Sequence, residues 1–514
     1  MCSLYESNLV HKASERLCKI KCKNFSREDL SLDNGALAMF MDLKLTKCQY
    51  ENLRQYNELL IGAKYYPSYK VIGEKKKQCY PENIIVDDIG ASVSLQDLLN
   101  HTSRRILQIL KDDLKHKQES EFELSVKWGM DGSTGQQVFN HKWETDQENN
   151  VIDERSIFMI TIVPLKLITQ NSNEVIWKND KPNSIRYCRP VQFKFVKETR
   201  EYVQQEYDNI SAQIQNLKST EFEFSNTEKY RVKYNFMCTM VDGKVINILT
   251  GQRSPRCCNI CGATPNMMND FENIRSIDPI VQNYRFGLST LHCWIRFMEC
   301  ILHIGYNMDF KKANATKDFK DLQQTKKKNI QHEMRRKLGL SIDMVSPDTA
   351  NSNDGNVART FFKNYAEVSS ILGVDLSLIK RFYIILQVLA SGYEVNIEKF
   401  QEYCNFTAKL YIELYSWYKM PPTVHKVLIH GSAIVEHLDL AIGSLSEEAQ
   451  EASNKIFKRA RLCNSRNFSR TLSNEDVFHY MLISSDPVVS SIRIKTEKKK
   501  EEMLPDTLEL VYYE

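Results

Sequence analysis

Two aspartates that each precede a glycine, Asp131 in KWGMDGSTG and Asp242 in VDGK, stand where their carboxylates could share one edge of a sheet. Leu124, Val126 and Trp128 alternate with polar residues ahead of the first, and KYRVKYNFMCTM, rich in Tyr, Val and Phe, leads into the second. Both stretches read as strands ending in an acid. An Asp-Gly pair alone ordinarily only makes a turn. Two adjacent strands that each end in one bring like charges together, and like charges that close need a cation. Carboxylates around paired divalent ions ~3.5–4 Å apart are the hardware of two-metal phosphoryl transfer, and hard oxygen ligands select Mg²⁺ or Mn²⁺, two per site. A third carboxylate would come from a later helix, EEAQEASNKIFKRAR, where Glu448 and Glu451 lie one turn apart on one face. An acidic helix face is more often simply solvated, and spacing alone does not choose between the two.

A second constellation is Cys258 and Cys261 in CNIC with His425 and His430 in TVHKVLIH. Each half suits one side of a tetrahedral structural Zn²⁺ site, although the long separation rules out an ordinary zinc finger, and Cys257 adjoins the first half. If the four meet, the ion ties both ends of the intervening segment together and fixes Asp242 relative to Glu451. The alternative is a buried CxxC and two unrelated histidines. The basic stretches Lys70 to Lys77, which include Lys75, Lys76 and Lys77 beside Tyr69 and Tyr80, and Lys326 to Lys337 are candidates for phosphate contacts, against the commoner role of a solvated charged face. His292, on the stripe Leu291, Ile295, Met298 and Ile301, reads as a packed helix residue.

The elements that must position these groups follow from periodicity. Leu30 to about Tyr66 has mostly helical spacing; KVIGEKKKQCYP reads as a linker or exposed loop; SLQDLLNHTSRRILQILKDDLKHK reads as a helix. From Glu121 the texture changes to strands: FELSVKWGMDGS, then the buried run SIFMITIVPLKLI, then EVIWKN as a third. The helix VKETREYVQQEYDNISAQIQNL and the strand before Asp242 complete an order of three strands, helix, strand, which is an α/β pattern. Leu288 to about Met420 is helical again and reads as an insertion.

The chain has 514 residues, 42% apolar and 10% aromatic, enough for about three units of roughly 100–200 residues. No apolar run approaches the ~20 residues of a membrane-spanning helix, and the first residues lack the pattern of a secretory signal, so no membrane association and a cytosolic or nuclear location are expected. Fourteen cysteines in a chain this long do not make a disulfide scaffold. With 69 basic and 65 acidic side chains the net charge of +4 says nothing about the partner.

Read in order, these pieces resemble the Transib transposases and their relative, the catalytic subunit of the V(D)J recombinase, from about Leu30 to Asp486. KWGMDGSTG looks like the segment with the family's first catalytic aspartate, VDGKVINILTG before CNIC like the second, and HKVLIH followed by EEAQEASNK like the zinc histidines and the glutamate helix. Counting back from Asn454 and Lys455 matches that glutamate to Glu451, with Glu448 as the fallback. QYENLRQYNELL and YPSYKVIGEKKKQCYP resemble the N-terminal DNA-binding region, and NSNDGNVARTFF resembles a loop near the active site in which Arg359 would contact DNA. The resemblance implies a ribonuclease H-like α/β core with a large helical insertion, plus a helical N-terminal DNA-binding region. The expected units are 1–120, a helical DNA-binding and dimerisation region; 121–262, the first part of the core; 263–420, the helical insertion; 421–485, the zinc histidines and catalytic helix; and 486–514, a charged tail.

What it implies for activity is cut-and-paste transposition by a nuclear homodimer acting on terminal inverted repeats. Each end is nicked, the freed 3′ hydroxyl forms a hairpin on flanking DNA, and the excised element's 3′ ends join target DNA. The chain is too short for the recombinase's ubiquitin-ligase region and shows no clear nonamer-binding segment, so the mobile-element enzyme is the expectation. A domesticated, non-catalytic sequence-specific DNA-binding protein and a nuclease that never rejoins DNA are the alternatives.

Overall fold

The computed structural model describes residues 32–513 apart from 63, 116, 118, 137–151, 226, 227, 253, 312–319, 345–351 and 495–501. Three helices open it: α1 (Leu32–Asp42), α2 (Lys47–Ile61) and α3 (Tyr69–Lys77). Thr46 and Gln49 form a capping box at the start of α2, and Gly62 ends it in the left-handed conformation. Helix α3 is the basic stretch expected to be a linker. Ser68 accepts a hydrogen bond from the Val71 amide and Ile72 is buried, so a capped turn with one apolar anchor suffices for a helix where lysines and Pro81 suggest a loop.

The sheet begins earlier than residue 121. Strands β1 (Ile85–Val86) and β2 (Gly90–Ser92) precede the long helix α4 (Leu95–Leu114). Then come β3 (Glu121–Thr134), β4 (Ser156–Thr169), β5 (Val175–Lys178), β6 (Arg189–Lys194), α5 (Arg200–Gln215), β7 (Thr220–Ser225), β8 (Glu228–Cys238) and α6 (Gly243–Leu249). The strand order is β1-β2-β6-β4-β3-β8-β7, with β5 pairing on β4 off that path. Only β3 and β8 run parallel among the described pairs of this sheet. EVIWKN therefore supplies a short side pairing, and the place beside β4 belongs to β6. Pro190 in β6 lies opposite Thr161, where the register shifts, a position that tolerates its missing amide proton.

A helical block follows: α7 (Phe271–Arg275), α8 (Thr290–Asn307), α9 (Lys320–Leu338), α10 (Gly355–Lys363), α11 (Tyr365–Leu372), α12 (Leu376–Ala390), the two-residue β9 (Glu394–Val395), α13 (Ile397–Tyr415) and α14 (Pro422–Glu436). It has its own apolar core, in which Phe297 and Phe382 meet edge to face at 4.7 Å. The chain then returns to the sheet with α15 (Glu448–Cys463), α16 (Arg470–Ser484) and α17 (Pro487–Ile492), and ends in α18 (Pro505–Leu508) and β10 (Val511–Tyr512).

Two of the expected units are not separate bodies. Apolar residues of α1, α2 and α4 share one continuous core with the sheet, α16 and α17. The segment from 486 is not simply a charged tail either: Asp486, Val488 and Val489 are buried, and β10 pairs antiparallel with β9 of the insertion.

Asp486 joins the first and last parts of this core. Arg105 of α4 donates to both its carboxylate oxygens at 2.8 Å, and the Val489 amide donates at 3.0 Å. Burial pushes the Asp486 carboxyl up, but Arg105, Arg189 and His101 outweigh it and hold it below the ordinary carboxylate range. Removing one partner of such a pair leaves a buried charge alone, so Asp486→Ala is expected to cost about 3–5 kcal/mol, read as a lowered thermal midpoint at neutral pH. The carboxylate's contribution is complete above its unfolded pKa of about 3.9 and is lost as the pH falls through the depressed folded value. The gap between wild type and variant should therefore close below about pH 4, and a gap that widens on acidification would contradict the assignment.

Candidate active site and metal centre

Asp131 is not at the end of its strand. β3 continues to Thr134, with Gly132 opposite Phe158 on β4. It is the parallel pairing that stops early, at Trp128 opposite Cys238, so β3 outruns β8 and Asp131 stands just beyond the last parallel pair. The two glycines beside it are there for close approach. A Cβ on Gly129 would lie 1.8 Å from the Met240 carbonyl oxygen, and one on Gly132 would lie 2.6 Å from Glu198 Cβ. Asp242 also differs from the expected strand end: β8 ends at Cys238 and Asp242 caps α6, accepting the Val245 amide at 2.8 Å.

The third acid arrives on α15, which docks on the sheet largely through polar side chains. Gln450, Ser453 and Asn454 are buried. Gln450 accepts from Thr161 and donates to the Met159 carbonyl at 3.2 Å, Ser453 donates to Cys188 Sγ at 3.1 Å, and Asn454 Nδ2 donates to Asp131 Oδ2 at 2.8 Å. This face sets Glu451 toward the same region, half-buried.

The electrostatics tie the acids together. Burial and the charge of Asp242, with smaller contributions from Glu451 and Glu198, push Asp131 up to about 7 against the favourable bond from Asn454. Burial likewise raises Glu451, with Glu447 and Glu448 adding and His292 and Lys455 opposing. Such a site is short of positive charge and offers oxygen donors, which fits hard divalent cations. Among the described residues no set of three carboxylates is gathered as tightly as the cysteine–histidine set below.

The structure separates the three neighbouring glutamates. Glu448 is ion-paired with Arg359. Glu447 is buried, accepting from the His292 amide at 3.2 Å, His292 Nδ1 at 3.0 Å and Ser289. Among the described residues the Glu451 carboxylate forms no hydrogen bond or ion pair. Glu198, beside Gly132, is a further acid facing this region; it is held by Lys244 at 2.6 Å.

His292 is more than a packing residue. Burial would lower its pKa, but the bond from Glu447 and the charges of Glu447, Asp242 and Glu451 raise it to about 9. It faces the acids as a cation. Its place in an apolar helical stripe conceals this, because the contacts that define it come from the segment before α15.

The basic residues are less free than their sequence suggests. Arg359 lies on helix α10, not in a loop, with its guanidinium 5.7 Å from the Trp294 ring centroid and bound to Glu448; of the segment NSNDGNVARTFF that resembles the loop, only Asn351 lies outside the described residues. Lys76 turns inward over Phe40 and donates to Tyr69, and burial lowers it to about 8. Lys75 is partly covered and Lys77 exposed. On α9, Lys326, Lys327, Arg336 and Lys337 each pair with an acid.

Cys258, Cys261, His425 and His430 do meet. All four are buried, and their ligand atoms lie within 4.8 Å of one another. Cys261 Sγ stands 3.4 Å from His425 Nε2, while His430 Nε2 is a buried nitrogen without a hydrogen-bond partner. The S–H of Cys261 holds the Cys258 thiol well below its usual range, and the same contact pushes Cys261 up. A buried set of two sulfurs and two ring nitrogens, one of them without a partner, fits Zn²⁺, which takes four such ligands.

Residues 124–255 match the RNase H domain of recombination-activation protein 1. The match covers about a quarter of the chain and includes Asp131 and Asp242, while Glu451 and the cysteine–histidine set lie outside it. Over its full length the chain is similar to a structure described as the Drosophila P element transposase strand transfer complex, at 10% identity and a TM-score of 0.32, covering 97% of this chain and 99% of that one. A likeness that loose carries no argument. The family match thus identifies a ribonuclease H-like domain over residues 124–255, within an α/β fold whose remaining helices pack around the sheet.

Metal analysis of the purified chain is expected to find about one tightly held zinc, lost in Cys258→Ser, with a lowered thermal midpoint after chelation. A chain free of transition metal with an unchanged midpoint would contradict the site.

Proposed function

We propose that this chain is a cut-and-paste DNA transposase of the Transib type, with Asp131, Asp242 and Glu451 as its catalytic carboxylates. The observation that carries the reading is the contact from Asn454 to Asp131, 2.8 Å long, which joins the glutamate helix to the strand of the matched domain. Terminal inverted repeats are its substrate, target DNA its second substrate, a second copy its partner and the nucleus its location.

The three carboxylates would hold two Mg²⁺ or Mn²⁺, which supply Lewis-acid activation of the attacking oxygen and stabilisation of the leaving one. Asn454 orients Asp131 and leaves its other oxygen free. Asp242 is oriented by the Val245 amide. His292, fixed by Glu447, offers positive charge beside the acids, where a scissile phosphate would sit. Arg359 keeps Glu448 neutralised, which leaves Glu451 as the acid available from this helix. A phosphate contact by Arg359 would have to displace Glu448, so Lys75 and Lys77 are the better DNA contacts of the N-terminal helices, and Lys76 serves packing. The cysteine–histidine set, as a zinc site, fixes the neck of the insertion.

The reading is tested with the full chain, a duplex carrying the end of the surrounding genomic repeat plus flank, and Mg²⁺ or Mn²⁺, resolved on a denaturing gel. A nick followed by a flank hairpin is expected, with both products falling by about 10³-fold or more in Asp131→Asn and Glu451→Gln. Specific binding without cleavage under either metal would replace the enzyme by a DNA-binding protein. Open breaks without hairpins or joined products would leave a nuclease.

A further inference from the structure

Lys127 lies on β3 four residues before Asp131, at a position where strand alternation suggests a solvent-facing polar residue. Its side chain is instead fully buried. Its Nζ donates to Asn183 Oδ1 at 2.9 Å, to the Ser444 carbonyl at 2.9 Å and to the Ser446 carbonyl at 2.8 Å. An ammonium has three N–H donors, so every one is used. Asn183 in turn donates to the Gly443 carbonyl at 2.7 Å. The segment thus held, residues 443–446, leads directly into α15.

A buried ammonium is costly, and among the described residues no carboxylate pairs with this one. Burial lowers Lys127 to about 7, with the nearby charges of Glu447 and Glu448 acting the other way. An apolar side chain of similar volume would fill the space more cheaply if packing were all that mattered. What the ammonium adds is direction: three acceptors from two segments are fixed at one point of the strand.

The spacing gives that point a purpose. Side chains of Lys127 and Asp131 project from the same face of β3, since alternate residues share a face. Four strand residues span roughly 13 Å at ~3.3 Å each. From Glu448 to Asn454, six helical residues at ~1.5 Å span about 9 Å, and the partly extended step from Ser446 to Glu448 adds roughly 5 Å. The two lengths agree, so Lys127 with Ser446 at one end and Asp131 with Asn454 at the other clamp strand and helix side by side, with Glu451 on the stretch between.

We propose that Lys127 is a positioning residue for the reaction, an ammonium clamp that fixes α15 along β3 and thereby sets the Glu451 carboxylate relative to Asp131. The inference rests on the transposase reading for its catalytic consequence, but the clamp itself can be measured without it.

The test compares the full chain with Lys127→Met and Lys127→Arg. In a folded Lys127→Met that keeps its zinc, the cleavage rate at saturating DNA should fall ~100-fold, as for a reacting group misplaced by about 1 Å, while DNA affinity stays within about twofold. Amide hydrogen exchange over residues 447–454 should quicken about tenfold in the same variant. Lys127→Arg, which retains donors, should recover part of both. Unchanged exchange and cleavage in folded Lys127→Met would overturn the clamp, as would a loss confined to DNA affinity. Should Lys127→Met fail to fold, Asn183→Ala, which removes one acceptor, is expected to shift exchange and rate in the same direction by less, and no shift would likewise overturn it. If the wild-type chain does not cleave, the transposase reading fails, and the exchange measurement alone decides the clamp.

Discussion

Carboxylates that raise one another's proton affinity repel, and a fold that gathers them has to hold each against that repulsion. Asp131, raised to about 7 by burial and by its acidic neighbours, is the centre of this constraint. Its strand is gripped on both sides, by β4 through Thr134 and by β8 as far as Trp128. The helix that brings Glu451 has to approach the same strand from a part of the chain more than three hundred residues away. An apolar helix face could slide along an apolar sheet with little change in energy. Hydrogen bonds from Gln450, Ser453 and Asn454 have fixed partners, and they define one axial position.

The helical insertion makes this arrangement harder to achieve, since it separates Asp242 from α15 with a body that has a core of its own. The cysteine–histidine set lies at the neck: CNIC follows α6 closely, and the histidines stand on α14, the last insertion helix before the segment leading to α15. Closing the neck at that point limits how far the block can move relative to the sheet. At the other end of the chain, β10 returns to the insertion and the Arg105–Asp486 pair binds the N-terminal helices to the segment after α16. Pieces that read along the sequence as separate units are thus joined into one structure around the sheet edge.

What could be read from the sequence was what local pattern encodes. The long strands β3 and β4 show in the alternation before Asp131 and in the run SIFMITIVPLKLI, and the CxxC and paired histidines show by spacing. The Asp-Gly pairs marked two acids of interest but suggested the wrong local structure for both, because one lies within a strand that outruns its parallel neighbour and the other is a helix cap. The choice of Glu451 over Glu448 was not readable from spacing; in the structure Arg359 occupies Glu448. Residues whose roles depend on distant partners were hidden. Lys127 looks like a solvent-facing strand lysine until its acceptors 317 and 319 residues later are seen. His292 looks like one side of an apolar stripe until Glu447 is placed beside it. Strands β6 and β7 are only six residues long, and β6 opens on Arg189 and Pro190, so their pairing is decided by the sheet, not by their composition.

The central claim is that this sheet edge binds divalent cations between residues far apart in sequence. It is tested most directly by loading the full chain with Fe²⁺ in place of Mg²⁺, generating hydroxyl radicals at the bound iron, and mapping where the polypeptide is cut. The account predicts cuts clustered near Asp131, Asp242 and Glu451, suppressed by excess Mg²⁺ and absent in Asp131→Asn. Cuts confined to other regions, or unaffected by Mg²⁺ and by that substitution, would contradict it.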